Sequence, residues 1–214
     1  MDIVFLGHSS FKIKGKNATL VTDPFSPEMV GFKFPKTEAE VVTISHQHED
    51  HNFYQTVGGG PFVISEPGEY EVRGISVFGY PSFHDTKEGE ERGVNNIYVI
   101  ELEGIRICHL GDLGTVLPAK TVEELDGIDI LMIPVGGKYT IGPKEAVEVV
   151  GQVEPLIVLP MHFKLPKTKI EGLSGIDEFL SQANIPNVEK IEKLSITKDK
   201  LPQETKIVIL EPKE

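Results

Sequence analysis

Three histidines and an aspartate, all side chains able to bind a metal, fall within six positions of the segment VVTISHQHEDH: His46, His48, Asp50 and His51. Imidazole nitrogen together with carboxylate oxygen suits zinc, manganese or iron. In an extended or turning segment His46 and His48 can point the same way and grip one ion. Asp50 and His51, around the next corner, can face a second. The bland alternative is a solvated polar loop, and the density of ligand-type side chains argues against it.

The same residue types recur elsewhere at one kind of position, just past an apolar run. Asp23 follows TLVT, His84 follows the run Ile75–Tyr80, Asp112 follows IRICHLG and His162 follows LIVLPM. Each has a plainer reading. His84 could be a loop histidine, Asp112 a turn former in HLGDLG, His162 a buried hydrogen-bonded histidine, and Asp23 a turn or cap residue before Pro24. His8, in the turn GHSS, could face the metals without binding them. His109 lies within a strand and reads as structural or as a support to the ligands.

The elements that must carry these residues are mostly short, β-branched and bounded by turn residues. Strands are predicted at Ile3–Leu6, Phe11–Lys14, Thr19–Thr22, Val41–Ser45, Phe62–Ser65, Ile75–Tyr80, Asn96–Glu101, Ile105–His109, Ile130–Pro134, Ile157–Met161, Ile191–Thr197 and Lys206–Leu210. Helices are predicted at Pro118–Leu125, Pro143–Val153 and Ser174–Ala183. In the second of these Pro143 suits the first turn, and Ala146, Val149, Val150 and Val153 make an apolar face. Early strands joined by tight turns such as KGKN, followed by strands alternating with helices, predict an α/β protein of two packed sheets with helices outside. If the strands lie side by side, their ends meet at one edge, where ligands of open sheets gather. The length of 214 residues fits a single domain over 1–214.

Charge limits the partners. The formal net charge is −12, which repels phosphate backbones, so no nucleic-acid partner is expected. The apolar runs fall short of a membrane span, and no membrane partner is expected. The N-terminal MDIVFLGHSS is too short and lacks the positive flank of a secretory leader. The single Cys108, in IRICHL, cannot form an internal disulfide and reads as a small buried hydrophobe. Together these point to a cytoplasmic protein.

The segments FLGHSSF, LVTDPF, TISHQHEDH, FHD (Phe83–Asp85), RGVNNIYVIELEGIRICHLGDLG, IPVGGKYTI and VLPMHF, in this order, carry a resemblance over nearly the whole chain. The chain resembles the metallo-β-lactamase fold superfamily, and within it the small stand-alone metal-dependent hydrolases grouped with the L-ascorbate phosphate lactonases. The resemblance implies an αβ/βα four-layer sandwich with a dimetal site at one edge. His46, His48 and His84 would hold the first ion, and Asp50, His51 and His162 the second. Asp112 would bridge both, while Asp23 and His8 would orient ligands from beside the site. The departures narrow the branch. The segment after His162 is too short for the helical domain of the glyoxalase II branch, and no basic arm resembles that of the tRNA-processing nucleases. Position 48 is His where the diiron flavoproteins have Glu, and no Cys takes a ligand position.

The implied cofactors are two divalent ions per chain, zinc in the first place and manganese or iron as alternatives. A hydroxide held between two metals is the natural nucleophile, because metal binding lowers the pKa of water from about 15.7 to roughly 7. Asp50 is the candidate catalytic residue, orienting that hydroxide and accepting a proton. Such a site would cleave an ester, lactone, thioester, amide or phosphodiester of a small molecule, an anionic one among the options. Lys138, Lys164, Lys167 and Lys169 are candidate contacts to a phosphate or carboxylate, with a solvated Lys-rich loop as the alternative. Two other functions remain open at this level: a phosphodiesterase or nuclease of the same fold, and a non-catalytic metal-binding protein.

Overall fold

The computed structural model describes residues 1–213. The chain runs β1 (Asp2–Gly7), β2 (Ser10–Lys14), β3 (Thr19–Thr22), α1 (Pro27–Val30), β4 (Thr37–Glu38), β5 (Val41–Thr43), β6 (Val57–Gly58), β7 (Phe62–Ile64) and β8 (Gly68–Val72). It continues through β9 (Ile75–Phe83), β10 (Val94–Leu102), β11 (Ile105–His109), α2 (Ala119–Glu124), β12 (Ile130–Pro134), α3 (Pro143–Val153), β13 (Ile157–Met161), α4 (Ile176–Ala183), β14 (Val188–Ile191), β15 (Leu194–Ser195) and β16 (Lys206–Leu210). Among the described residues, no helix is long and apolar enough to cross a membrane.

The strands form two large sheets, ordered β15-β1-β2-β3-β5-β7 and β14-β16-β13-β12-β11-β10-β9-β8, plus the small pair β4-β6. Ile3, Phe5, Phe11 and Leu20 from the first sheet pack with Val77, Ile97, Ile107 and Val158 from the second in one buried cluster. The strands β12 and β13 are buried at every position, which accounts for their continuous apolar runs. Outside the second sheet lies α3, which turns Ala146, Val149 and Val150 inward. The result is the αβ/βα sandwich expected. Over the outer face of the first sheet the helical layer is reduced to the single turn α1. A separate cluster built on Phe25, Val30 and Phe34 does most of the covering. Phe25 is fully buried with rings of Phe32 and Phe34 at 5.2 and 5.0 Å, so Phe25→Ala there would cost about 3–5 kcal/mol.

Two departures from the predicted elements have local causes. The expected strand Ile191–Thr197 is two strands in different sheets. Val188–Ile191 pairs with β16, and Leu194–Ser195 pairs with β1, so Glu192 and Lys193 carry the chain from one sheet to the other. The strand Gly68–Val72 was not predicted. It is an edge strand, mostly exposed, that hairpins onto β9 through Arg73 and Gly74, both at positive φ (52° and 79°). An exposed edge carries little apolar alternation for a sequence reading to find.

One feature of the topology positions chemistry. β1 and β3 both run antiparallel to β2, and β3 is parallel to β5. In the other sheet β9 and β11 flank antiparallel β10, and β11, β12 and β13 are parallel. Hence β1, β3 and β5 end together, as do β9, β11 and β13. Tyr98 ties the two sheets: the one proton of its buried hydroxyl on β10 is shared between the carbonyls of Ile44 (3.1 Å), just past β5, and Ile64 (3.4 Å), at the end of β7.

Candidate metal centre

Each residue of interest sits just past one of those strand ends: His8 after β1, Asp23 after β3, His46 after β5, His84 after β9, Asp112 after β11 and His162 after β13. Three of them reverse the chain in the left-handed region, His8 at φ 55°, Asp23 at 36° and His162 at 50°. Non-glycine residues in that region are uncommon and tend to mark functional corners. The turn to Asp112 needs Gly111, at φ 57°, where a Cβ would strike the Asn95 amide oxygen and the Ser45 side chain. Past His46 the chain makes one helical turn, with the amides of His51 and Asn52 donating to the His48 carbonyl at 2.9 and 3.0 Å. That turn aims Asp50 and His51 away from His48.

All seven predicted ligands come together. His46, His48 and His84 form one group, each offering a ligand atom within 4.8 Å of the others. Asp50, His51 and His162 fall in a second such group, and His8 joins them. Asp112 stands between the groups: its Oδ2 lies 3.3 Å from His84 Nε2 and 3.2 Å from His162 Nε2, and its Oδ1 lies 3.2 Å from His51 Nε2. His46 Nε2 is 4.0 Å from Asp112 Oδ2.

The hydrogen bonds around the cluster decide which nitrogen faces inward. Asp23, fully buried, accepts from the Ser45 amide (2.7 Å), the Ser45 hydroxyl (2.6 Å) and His51 Nδ1 (2.8 Å). Because the Ser45 hydroxyl proton goes to Asp23, Ser45 Oγ accepts from His46 Nδ1 at 2.9 Å. These tautomers are assigned from the network. Asp23 thus fixes the Nδ1 protons of both histidines and leaves both Nε2 atoms bare, the usual arrangement behind metal-binding histidines. His46 Nε2, His51 Nε2 and Asp112 Oδ1 are buried and have no hydrogen-bond partner among the described residues. Leaving such atoms unpaired is costly. A divalent cation satisfies a carboxylate oxygen and bare imidazole nitrogens at once, so these residues fit metal ions.

The electrostatics agree. Burial would raise the Asp112 carboxyl, but His162 and His51 beside it hold it well below its ordinary range. For Asp50 burial is likewise outweighed, by His51 and then His8. Burial, helped by repulsion from His51, pushes His46 down to about 3. His51 goes the other way: burial opposes its charge, but Asp112, Asp50 and Asp23 raise it well above the ordinary value, so without a cation the ring takes a second proton, on Nε2, which a metal ion would displace.

Further supports come from β10 and β11. Asn95 accepts from the Asp112 amide (2.9 Å) and donates to the Leu110 carbonyl (2.9 Å), pinning the HLGD turn. His109 accepts from the Gly111 amide at 3.2 Å and donates from Nε2 to the Ser9 carbonyl at 2.8 Å. His109 therefore braces the turn that carries His8, and its ring nitrogens are used up in doing so.

The cluster lies at the bottom of a cleft of about 810 Å³ whose lining includes His48, Asp50, His84, Asp112 and His162. Lys138, Tyr139, Lys169 and Arg92 also line it, with Glu49 and Glu171 on the same rim. Arg92 and Lys138 approach the Tyr139 ring from 5.8 and 5.2 Å. Lys164 and Lys167, also candidates from sequence, line other grooves. Arg92 was not singled out by sequence. It closes the Asp85–Gly93 loop, whose charged composition reads equally as a lid or a surface turn. The structure shows an anchored loop. Asp85 Oδ1 accepts the amides of Lys87 (2.7 Å) and Gly89 (3.0 Å), and Oδ2 those of Glu91 (3.0 Å) and Arg92 (2.8 Å).

Comparison with known proteins agrees with this geometry. Residues 2–162 match the family profile described as a beta-lactamase superfamily domain. A metal-dependent hydrolase of Thermococcus onnurineus is 32% identical over 190 residues, covering 76% of this chain and 84% of that one. The crystal structure of a Thermotoga maritima protein, assigned to the metallo-beta-lactamase superfamily as a Zn-dependent hydrolase, superposes with a TM-score of 0.81. It shares 39% identity and covers 98% of this chain and 97% of its own. A metallo hydrolase of Ignicoccus hospitalis, at 20% identity and a TM-score of 0.68 over 100% of this chain and 96% of its own, shares the fold.

Proposed function

The chain belongs to the beta-lactamase superfamily and is a metal-dependent hydrolase, and from that premise we propose that it holds two divalent cations and cleaves an ester, lactone or similar bond of a small anionic metabolite. Zinc is the first choice of ion, with manganese or iron as alternatives. The observation that carries the two-ion reading is Asp112, with one carboxylate reaching His84 and His162 through Oδ2 and His51 through Oδ1. His46, His48 and His84 would hold one ion and Asp50, His51 and His162 the other, with Asp112 shared.

Bound there, the ions supply Lewis acidity and a water acidified to a pKa of roughly 7. The chain's own residues do the rest. Asp50 is partly exposed on the cleft wall and is held ionised at neutral pH, and it takes the role of proton acceptor. Asp23, through Ser45 and His51, keeps the imidazoles from rotating. Arg92, Lys138 and Lys169 receive the anionic substituent of the substrate, and Tyr139 gives Arg92 and Lys138 an apolar face to lie on. The net charge of −12 disfavours a nucleic-acid substrate. The buried, unpaired Cys108 fits a cytoplasmic protein, which we take to act as one unit over 1–214.

The test is hydrolysis by protein reconstituted with Zn, Mn or Fe, using matched pairs of neutral and carboxylated or phosphorylated esters and lactones, and a phosphodiester. Turnover of the anionic esters or lactones, with KM raised in Arg92→Ala and Lys138→Ala and kcat little changed, supports the reading. Preference for the neutral member of each pair removes the anionic part. Turnover of the phosphodiester alone replaces the carboxyl-ester reading with phosphodiester cleavage.

A further inference from the structure

We propose that His8 is a metal ligand, completing the group formed by Asp50, His51 and His162, so that this second pocket is closed by protein and the first is the one open to substrate. The inference rests on the two-ion reading above. Sequence alone leaves His8 facing the metals without binding them.

Distance separates a ligand from a helper. A charge-assisted N–H to carboxylate hydrogen bond is about 2.7–2.9 Å long. The His8 Nε2 to Asp50 Oδ2 distance is 3.3 Å, within hydrogen-bond reach but long for a charge-assisted pair. Two atoms bound to one tetrahedral zinc at about 2.0–2.1 Å stand about 3.3–3.4 Å apart. The His8–Asp50 spacing matches that edge. So do the His84–Asp112 and His162–Asp112 spacings of 3.3 and 3.2 Å. His8 Nε2 therefore stands to Asp50 Oδ2 as His84 and His162 stand to Asp112 Oδ2.

The fold leaves His8 little choice of direction. It is 2% exposed, and its ring packs against those of His162 and His51, with centroids 4.3 and 5.0 Å away. Its backbone is fixed at φ 55°, and its carbonyl accepts the His162 amide at 2.8 Å. The next residue is held too, since the Ser9 carbonyl accepts from His109. A mere spacer in this corner would need neither a nitrogen nor anchors on its own carbonyl and on that of Ser9.

The consequence is an asymmetric pair of pockets. With His8, the second pocket has four protein ligands of its own, three of them buried. The first has three histidines, one of which, His48, is exposed on the cleft. Counting the shared Asp112, that is five protein ligands against four, so the first pocket leaves more room for water and substrate. The second ion is thus the retained one, and substrate and water exchange occur at the ion beside His48.

The experiment is ¹⁵N NMR of histidine side chains in zinc-loaded full-length protein, with His8 assigned by its loss in His8→Gln. As a ligand through Nε2, His8 carries its proton on Nδ1, and its Nε2 shows no one-bond coupling to hydrogen. As a hydrogen-bond partner of Asp50, it carries the proton on Nε2, and that result overturns the proposal. In parallel, cobalt titration of His8→Gln should weaken the more tightly held equivalent by more than about 100-fold and alter its visible spectrum. An orienting residue costs about 10–100-fold. Glutamine can still donate to Asp50, so wild-type affinity and spectrum in this variant also overturn the proposal. The wild-type titration judges the parent reading separately: uptake of fewer than two equivalents removes it, and this inference with it.

Discussion

The main-chain N–H of His162 donates to the carbonyl of His8 at 2.8 Å, joining the ends of β13 and β1 across the two sheets. Both residues are in the left-handed region, at φ 50° and 55°. Two strand ends from opposite sheets are thus locked at one point, and both side chains are delivered to the same pocket.

Gly136 tests that lock. A Cβ there would strike the His162 carbonyl, a backbone atom that cannot swing aside. Its φ is not in the left-handed region, so the need for glycine is one of space. Gly136→Ala should destabilise the fold by about 1–3 kcal/mol, as overpacking does. It should also weaken the ion held by His162 more than the ion held by His46, His48 and His84. Denaturant unfolding and a two-step metal titration read the two effects. Unchanged values for both would show that His162 is not held as described.

Asp23 should act on metal affinity without touching metal. Asp23→Ala frees the Nδ1 protons of His51 and, through Ser45, of His46, and leaves the buried Ser45 amide unpaired. Removing such supports costs about 10–100-fold in affinity. Because His51 loses its direct partner and His46 only an indirect one, the second pocket should suffer more. Competition with a chelator, one ion at a time, measures the difference, and equal losses would contradict the network.

The Asp85 clip should separate substrate binding from metal binding. Asp85→Ala removes the acceptor of four loop amides, so Arg92 loses its place while the metal cluster keeps its ligands. KM for an anionic substrate should rise with metal content unchanged. The clip also sets a pH range. Burial would raise the Asp85 carboxyl, but the amides of Arg92, Lys87, Gly89 and Glu91 bring it from 3.8 down to about 2. A lowered carboxyl pKa means that the contribution is complete above 3.8 and is lost as pH falls through about 2. Hydrogen exchange of the Lys87, Gly89, Glu91 and Arg92 amides in metal-free protein should stay slow down to that range. Early loss of protection, near pH 5, would remove the clip.

Legibility in the sequence followed physical signal strength. Helix α3 matched its predicted span, Pro143–Val153, because Pro143 marks its start and its buried residues repeat at helical spacing. Of the seven clustered residues, His46, His84, Asp112 and His162 were legible because each follows an apolar run, and parallel strand ends bring such positions to one edge; His48, Asp50 and His51 were legible because they crowd beside His46. The hairpin strand Gly68–Val72 was not, because an exposed edge lacks alternation. Asp85 was invisible as an anchor, since its partners are backbone amides that any loop sequence possesses. His8 was ambiguous for a different reason. A lone histidine after glycine gains its meaning only when β1 and β13 end side by side.

Asp50 and His109 should respond in opposite ways. Asp50 is both a member of the second ligand group and the ionised acceptor on the cleft wall, so Asp50→Ala should abolish turnover and lower occupancy of the second ion more than the first. His109 is fully buried, and its nitrogens are spent on the Ser9 carbonyl and the Gly111 amide. His109→Ala should therefore act through the fold. It removes two hydrogen bonds, each worth about 0.5–1.5 kcal/mol, and adds the cost of a cavity. Turnover should fall by no more than about 10–100-fold, because the brace on the His8 turn is loosened and no ligand is lost. Stability, metal content and kcat measured on the same two variants distinguish the roles. Near-normal kcat in Asp50→Ala would end the proposed role of Asp50. Loss of a whole metal equivalent in His109→Ala, with the fold intact, would move His109 from the brace into the ligand set.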